Sequence, residues 1–492
     1  MILVIDNHKF HYEMENLCRV FFPYEKITVT NEDNEEDSKK AITGLSQADD
    51  VYNISVTVSV SGESVVKNQT ADKDSTEDEL EIMMARNLFD ALCEITGYVP
   101  DWGILTGVRP SKLMTAIVDE VGEETAKAYF MDKLKVSERK TELALSVAKA
   151  EEKIIKNSKP ESMSLYVSIP FCPTRCSYCS FVSHSIKNAH KLMPVYTEYL
   201  CKEIDVLGET VKDLGLKLES IYFGGGTPTI LNAEQLKQIF DAIERNFDVS
   251  SVSEYTVEAG RPDTITTSVL NELKRAGVGR ISINPQTFND DVLEKIGREH
   301  SSLRTLEAFR LAREAGHDNI NMDLIAGLPT DTLGSFEKSL KQTIQLDPEN
   351  ITIHTLALKR SSNLFRENET EMSSGKLTAQ MLEVASKLLY ESGYFPYYMY
   401  RQSRCIGNLE NVGWSKPGYE CLYNIYMMEE CHTVLGVGAG SVTKLKQPNG
   451  TYIERIFNYK YPYEYLDNFD ALMERKSRIK EFYEEFYNAE SK

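Results

Sequence analysis

Early in the chain, apolar and polar positions alternate with period two. Ile54, Val56, Val58 and Val60 fall on one side, and Ser55, Thr57 and Ser59 on the other. That spacing predicts a half-buried strand. The period then becomes helical, with Leu80, Met83, Met84, Leu88 and Leu92 on one face. Ser75 and Asp78 supply the expected capping box, and Gly97 the expected stop. The opening MILVIDNHKF reads as a first strand. Residues 31–50 hold seven acids and few large apolar groups, which reads as a solvated loop. Residues 123–158 return to a helical pattern. Together, residues 1–160 read as a small α+β domain, closed by the polar, proline-containing segment IKNSKPESMS at 155–164.

Short apolar runs then alternate with helical segments. Strands are expected near Leu165–Ile169, Ser220–Phe223, Glu254–Glu258, Arg280–Asn284, Ile320–Ile325 and Ile351–Leu356. Helices are expected at 191–213, 233–246, 301–315 and 333–345. Six β–α units of this size predict an α/β architecture: an open, partial (β/α)6 barrel of parallel strands over 161–374. Ligand groups then belong at the C-terminal strand ends. The remaining 375–492 form a mixed, Tyr-rich C-terminal region.

Composition narrows the class. With 492 residues, 41% hydrophobic and 26% charged, the chain has the make-up of a globular protein with a large core. A net charge of −20 argues against a nucleic-acid partner, which calls for a basic face. No apolar run reaches the length of a membrane span, and the N-terminus lacks the charged and apolar regions of a signal peptide. A cytoplasmic location is therefore expected. Nine cysteines then read as thiols or metal ligands rather than disulfides.

Three of those cysteines carry the chemistry. Cys172, Cys176 and Cys179 follow the first barrel strand with C-x3-C-x2-C spacing in LYVSIPFCPTRCSYCSF. Three thiolates in one short loop can each bind a different iron of a [4Fe–4S] cube, leaving the fourth iron open. Pro170 and Pro173 keep the loop out of a helix. A zinc site needs a fourth ligand, for which His184 is the only nearby candidate. At the next strand end, Ile-Tyr-Phe-Gly-Gly-Gly-Thr-Pro-Thr permits close ligand approach or simply a tight turn. Glu258 ends the third strand, as a ribose or ammonium ligand or a helix cap. Asp323 sits in an apolar strand, where a carboxylate needs partners. Gln286 and Arg298 flank the fourth unit, and Arg298 could pair with a carboxylate.

The cysteine loop resembles the signature of the radical S-adenosylmethionine (SAM) superfamily. The further spacings resemble the oxygen-independent coproporphyrinogen III oxidase (coproporphyrinogen dehydrogenase) family. TGVRPSKL, NLENVG and YNIYMMEE resemble its variant branch with an extra N-terminal domain. The resemblance implies a [4Fe–4S] cluster and SAM as cofactors, the latter cleaved to a 5′-deoxyadenosyl radical. It also implies a tetrapyrrole substrate and a flavodoxin- or ferredoxin-like electron donor. It puts Tyr166, Tyr178, Gly225, Gly226, Thr227, Glu258, Gln286, Arg298, Asp323, Ala357 and, in GVGAGSV, Val442 at SAM-contact positions. The glycine motif falls where the family holds the SAM amino group.

Two positions depart from the best-understood branch: Ser168 stands where it has histidine, and Ser180 and Phe181 replace a further cysteine. There the chain resembles the haem-chaperone branch. Three readings follow: decarboxylation of two propionates of coproporphyrinogen III to vinyls, haem carriage, or methyl transfer to a tetrapyrrole. Elsewhere, Cys18, Cys93 and Cys201 read as core, and Cys405, Cys421 and Cys431 could hold a second cluster, although their irregular spacing favours the reading that they do not. Arg109 reads as pinning the helix after it, with a substrate carboxylate as the alternative. Tyr394 to Tyr400 read equally as a pocket wall or a strand.

Overall fold

This computed structural model describes every residue except 24, 34–37, 49, 180, 182–183, 186–188, 358–374, 403–404 and 491–492, and omits the side chains of 487–490. Ser180, one of the two departures, thus lies outside the described residues. The chain divides into two units: Met1–Lys149 with Ser373–Ala379 and Met399–Asn411, and Ala150–Met372 with Gln380–Tyr398 and Val412–Lys492.

The N-terminal unit is built on β1 (Ile2–Asp6), β2 (Thr28–Thr30), β3 (Lys39–Ala48), β4 (Val51–Val60) and β5 (Glu63–Asp72), in the order β2-β1-β3-β4-β5. Helices α1 (His11–Phe21) and α2 (Glu77–Thr96) pack on its apolar side, where Ile54, Val56 and Val58 meet Met14, Leu17, Met84 and Leu88. The period-two reading of β4 thus located the buried face. The solvated-loop reading of 31–50 is corrected. Lys39–Ala48 is a strand, paired along its whole length with β4 and in parallel with β1. The acids around it masked its short alternation. The capping box of α2 is also one residue later than expected. Thr76 accepts from the Glu79 N–H, Glu79 reaches back to Thr76, and Gly97 closes the helix with φ +66°. Next come α3 (Pro110–Val121), α4 (Glu123–Ala128) and α5 (Glu138–Ile155). Arg109 holds the backbone N-cap position of α3 without a side-chain cap bond. Glu410 of NLENVG accepts from Trp102 Nε1 at 2.7 Å and pairs with buried Lys140.

The second unit carries the parallel strands β6 (Ser162–Ile169), β9 (Lys217–Gly225), β10 (Glu254–Glu258), β11 (Arg280–Ser282), β12 (Ile320–Ala326) and β13 (Asn350–Thr355), with β7 (Phe171–Cys172) and β8 (His184–Ser185) as a short pair after β6. These six are neighbours in sequence order within one sheet. Between them run α6 (Met193–Leu214), α7 (Ala233–Asn246), α8 (Thr267–Arg275), α9 (Asp290–Lys295), α10 (Ser302–Glu314) and α11 (Leu333–Gln345). β6 is buried almost throughout, as strands of a covered parallel sheet are. This is the expected radical SAM (β/α) architecture.

The C-terminal residues extend the same sheet on both sides. Beyond α12 (Gly375–Glu391), β14 (Phe395–Arg401) and β15 (Glu410–Ser415) follow β13, with β15 antiparallel to it. The Tyr-rich stretch is thus a strand, with Tyr397 and Tyr398 buried. After α13 (Leu422–Glu429), β16 (Thr433–Val437) lies parallel to β6, followed by β17 (Val442–Lys446) and β18 (Ile453–Phe457). Helices α14 (Pro462–Asp467), α15 (Phe469–Lys476) and α16 (Arg478–Glu490) complete the chain.

Candidate active site

All three cysteines lie just past the C-terminal end of β6, where Pro170 stops the strand. Cys176 is buried, while Cys172 and Cys179 are half-buried. Burial pushes the Cys179 thiol up to about 11, reinforced by its cysteine neighbours. Among the described residues, no group of three His, Cys, Asp or Glu side chains meets at metal-binding distance. The surroundings of the three cysteines suit thiolates. Thr227 Oγ1 donates to Cys172 Sγ at 3.5 Å, and Arg261 Nη1 reaches Cys176 Sγ at 3.6 Å. His184 is flanked by the rings of Tyr461 and Tyr463.

The glycine motif packs directly on this loop. Gly226 N–H donates to Ile169 O at 2.7 Å and Thr227 N–H to Phe171 O at 2.8 Å. A Cβ at Gly226 would lie 2.5 Å from the Phe171 carbonyl, and Gly225 has φ +101°. Close approach therefore requires glycine at both positions. The Gly226 and Thr227 N–H groups are thus committed to the cysteine loop.

Alternation along the strands places a polar set inside the sheet. Tyr166 of β6 and Tyr222 of β9 are register neighbours, and Tyr423 of α13 stacks on Tyr222 at 4.3 Å between centroids. Tyr222 Oη donates to Glu258 Oε1 at 2.6 Å. Burial lifts the Glu258 carboxyl to about 7, aided by the Asp323 charge and opposed by Tyr222 and His354. Burial alone would raise Asp323 too, but His354, Asn321 and Thr352 together hold it below the usual carboxylate range. The contacts are 3.5 Å from His354 Nε2 and 2.8 Å from Asn321 Nδ2. This half-buried aspartate thus has the partners its position demands.

Gln286 follows β11 with φ +67°, which is strained for a residue with a side chain. Its N–H donates to Asp323 O and its C=O accepts from Ile325 N–H, both at 2.9 Å. Among the described residues, the buried side-chain Oε1 of Gln286 and Oδ1 of Asn284 find no donor. Such orphaned acceptors fit a bound polar ligand. Arg298 is buried and donates to Asn284 O at 2.7 Å. Burial alone would lower its guanidinium, but Tyr178 and Cys176 beside it raise it above the usual range. Burial raises the Tyr178 phenol, against the pull of Arg298. Ala357 follows β13 and Val442 opens β17, both half-buried.

The GVGAGSV turn is tied to β6. Ser168 Oγ donates to Ala439 O at 2.7 Å. Tyr196 Oη donates to Ser168 O and accepts from Ala439 N–H, each at 2.8 Å. Ser168 therefore anchors this turn. Buried Glu203 accepts from Gly438 N–H at 2.7 Å, Tyr465 Oη at 2.7 Å and Asn458 Nδ2 at 2.8 Å, and pairs with Lys476 at 2.8 Å.

Sequence reasoning missed Tyr222, Arg261, His354 and Tyr423. Tyr222 was accessible from β9, because it shares the inward parity of Tyr166 and precedes the glycines. The other cysteines have separate surroundings. Cys18 is core, Cys93 and Cys201 are half-buried, Cys421 donates to Glu254 at 3.2 Å, and burial pushes Cys431 up to about 11. Cys405 is buried.

The family model of the radical SAM superfamily matches residues 166–343. The oxygen-independent coproporphyrinogen-III oxidase-like protein HemZ of Bacillus subtilis is 35% identical over 486 residues, which cover 97% of each chain. Heme chaperone HemW of the same organism is 35% identical over 311 residues, 61% of this chain and 77% of its own. The solved structure of coproporphyrinogen III oxidase (HemN) from Escherichia coli superposes with TM-score 0.53 at 24% identity, over 66% of this chain and 73% of that one. This chain therefore belongs to the radical SAM superfamily, within the family of oxygen-independent coproporphyrinogen-III oxidase-like proteins. Membership implies a [4Fe–4S] cluster and SAM. The thiol loop, the glycine cradle and the orphaned acceptors fit these groups. Among the described residues, no helix is long and apolar enough to cross a membrane.

Proposed function

We propose that this protein is a radical SAM oxidoreductase of haem biosynthesis that converts two propionates of coproporphyrinogen III to vinyls, giving protoporphyrinogen IX. One observation carries the radical chemistry: the three-cysteine loop, half-buried Glu258 and Asp323, and buried Gln286 and Arg298 stand toward the same end of the parallel strands. The substrate is supported by the full-length likeness to a relative named as oxidase-like.

Cys172, Cys176 and Cys179 hold the cluster. Carbonyls of Gly225 and Gly226, beside Thr227, suit the ammonium of SAM, and Arg298 suits its carboxylate. Glu258, titrating near 7, can donate to or accept from a ribose hydroxyl. Gln286 offers its unpaired acceptor, with Tyr166, Tyr178, Asp323, Ala357 and Val442 completing the contacts. When bound, cluster and SAM together would supply a 5′-deoxyadenosyl radical, the chemistry needed to remove one hydrogen atom from the propionate β-carbon. Loss of CO2, with one electron passed to an external one-electron acceptor, would then leave the vinyl group. The chain's part is to position the reactants and exclude water. A flavodoxin- or ferredoxin-like protein supplies the reducing electron, in the cytoplasm.

The likeness to the heme chaperone, with Ser168 in place of histidine, favours haem carriage as a second reading. Anaerobic incubation with coproporphyrinogen III, SAM and reductant tests both. Equal release of 5′-deoxyadenosine and CO2 with a divinyl product is expected. Deoxyadenosine without that product, or a methylated tetrapyrrole, overturns the substrate. A stable haem Soret band without turnover establishes the second reading.

A further inference from the structure

Arg261 makes none of the SAM contacts above, yet it touches the cysteine loop. It follows Glu258 in the loop after β10, and only 3% of it is exposed. A guanidinium this deep must be paired. Asp263 pairs one edge of it, Nε to Oδ1 at 3.0 Å and Nη2 to Oδ2 at 3.1 Å. The same grip aims the remaining corner. Nη1 donates to Thr174 Oγ1 at 3.1 Å and reaches Cys176 Sγ at 3.6 Å. The backbone is pinned as well, because Thr264 Oγ1 donates to Arg261 O at 2.8 Å. Both contacts of the free corner thus lie within the cysteine loop.

We propose that Arg261 is a positioning residue that sets the reduction potential of the iron–sulfur cluster, through an N–H held against the Cys176 sulfur. This rests on the reading that Cys172, Cys176 and Cys179 bind that cluster. Reduction adds one electron and changes no bond in the protein. A fixed cation and an N–H donor at a ligand sulfur stabilise the added negative charge and raise the potential. Asp263 acts in the opposite sense. It holds the guanidinium in place and offsets its charge. The pair therefore predicts opposite shifts for its two members, which a purely structural role does not.

The test uses the full chain, reconstituted anaerobically, with iron content measured and the midpoint potential read by EPR-monitored titration. Arg261→Gln should retain iron and shift the midpoint lower. Asp263→Asn should retain iron and shift it higher. Arg261→Lys keeps the charge but loses the two-edged geometry, and should fall between wild type and Arg261→Gln. Midpoints equal to wild type, or shifts of the same sign in Arg261→Gln and Asp263→Asn, overturn the proposal. If Arg261→Gln fails to load iron, the sign of the Asp263→Asn shift decides. A wild-type protein that loads no cluster, or a Cys176→Ala variant with unchanged iron and spectrum, instead overturns the ligand reading beneath it.

Discussion

Lys476→Met tests whether the ion pair behind the GVGAGSV turn holds the barrel unit together. Lys476 and Glu203 are 3% and 0% exposed, so neither charge is solvated by water. Removing one partner of a buried pair costs about 3–5 kcal/mol, because the other charge stays buried. Here Glu203 keeps three donors, Gly438 N–H, Tyr465 Oη and Asn458 Nδ2, which places the loss near the low end, about 3 kcal/mol. The Gly436 carbonyl also loses its Lys476 donor, adding about 1 kcal/mol. The total of about 4 kcal/mol is a large share of a typical stability of about 5–15 kcal/mol. Adding Glu203→Gln removes the stranded charge and should recover about 2 kcal/mol, the size of coupling seen between contacting residues. Urea unfolding measures this. The chain has two tryptophans, one in each unit, so a Trp102→Phe background leaves Trp414 as the reporter for the barrel unit. A Lys476→Met midpoint matching wild type, or a double variant no more stable than the single, refutes the reasoning.

Gly226→Ala forces a Cβ against the Phe171 and Ile169 carbonyls, at 2.5 and 2.9 Å, and neither backbone atom can swing away. A loss of about 1–3 kcal/mol is expected, with reduced iron retention, measured by thermal unfolding and metal analysis. Glu258 titrates near 7 in the folded chain against an ordinary 4.5, so between those values the folded state holds a proton that the unfolded state has released. Its contribution to stability therefore falls as pH rises through that window, by about 3 kcal/mol in all, and Glu258→Gln should remove the slope. His432 acts in the opposite direction. Burial holds it near 3 against an ordinary 6.5, so stability is lost as pH falls below 6.5, by about 1.4 kcal/mol per pH unit. Urea unfolding of His432→Gln over pH 4.5–6.5 should lack that loss. The two slopes partly cancel in wild type, so each is read as the difference between variant and parent.

Local pattern and tertiary partnership account for what could be read from the sequence. The helix expected at 233–246 matches Ala233–Asn246 to the residue, and its start is fixed locally, by the capping box of Asn232 and Gln235. The six central strands were visible because each is a short apolar run between helices. β16 was not recognised as a barrel strand, because its partner β6 lies far upstream and no local signal names that pairing. β3 was hidden by nearby acids, although its Ala41 lies in the core. At the site, cysteine spacing and strand-end residues were legible because chain order places them. Arg261 was not, since the direction of its guanidinium is set by Asp263, and sequence alone offers a surface ion pair as its ordinary fate. The orphaned acceptor of Gln286 shows only once the backbone's positive φ is known.

The bonding around Ser168 constrains any exchange of parts between relatives. A Cβ on Gly225 would meet Ser168 Oγ at 3.0 Å, and one on Gly438 would meet Ser168 O at 2.5 Å. Position 168 thus sits between two glycines while its hydroxyl closes the turn at Ala439. An imidazole grafted there alone lacks the hydroxyl that closes that turn. The end of β6 and the distant glycine turn, far apart in the gene, must therefore be swapped together as a single cassette when chimaeras are built.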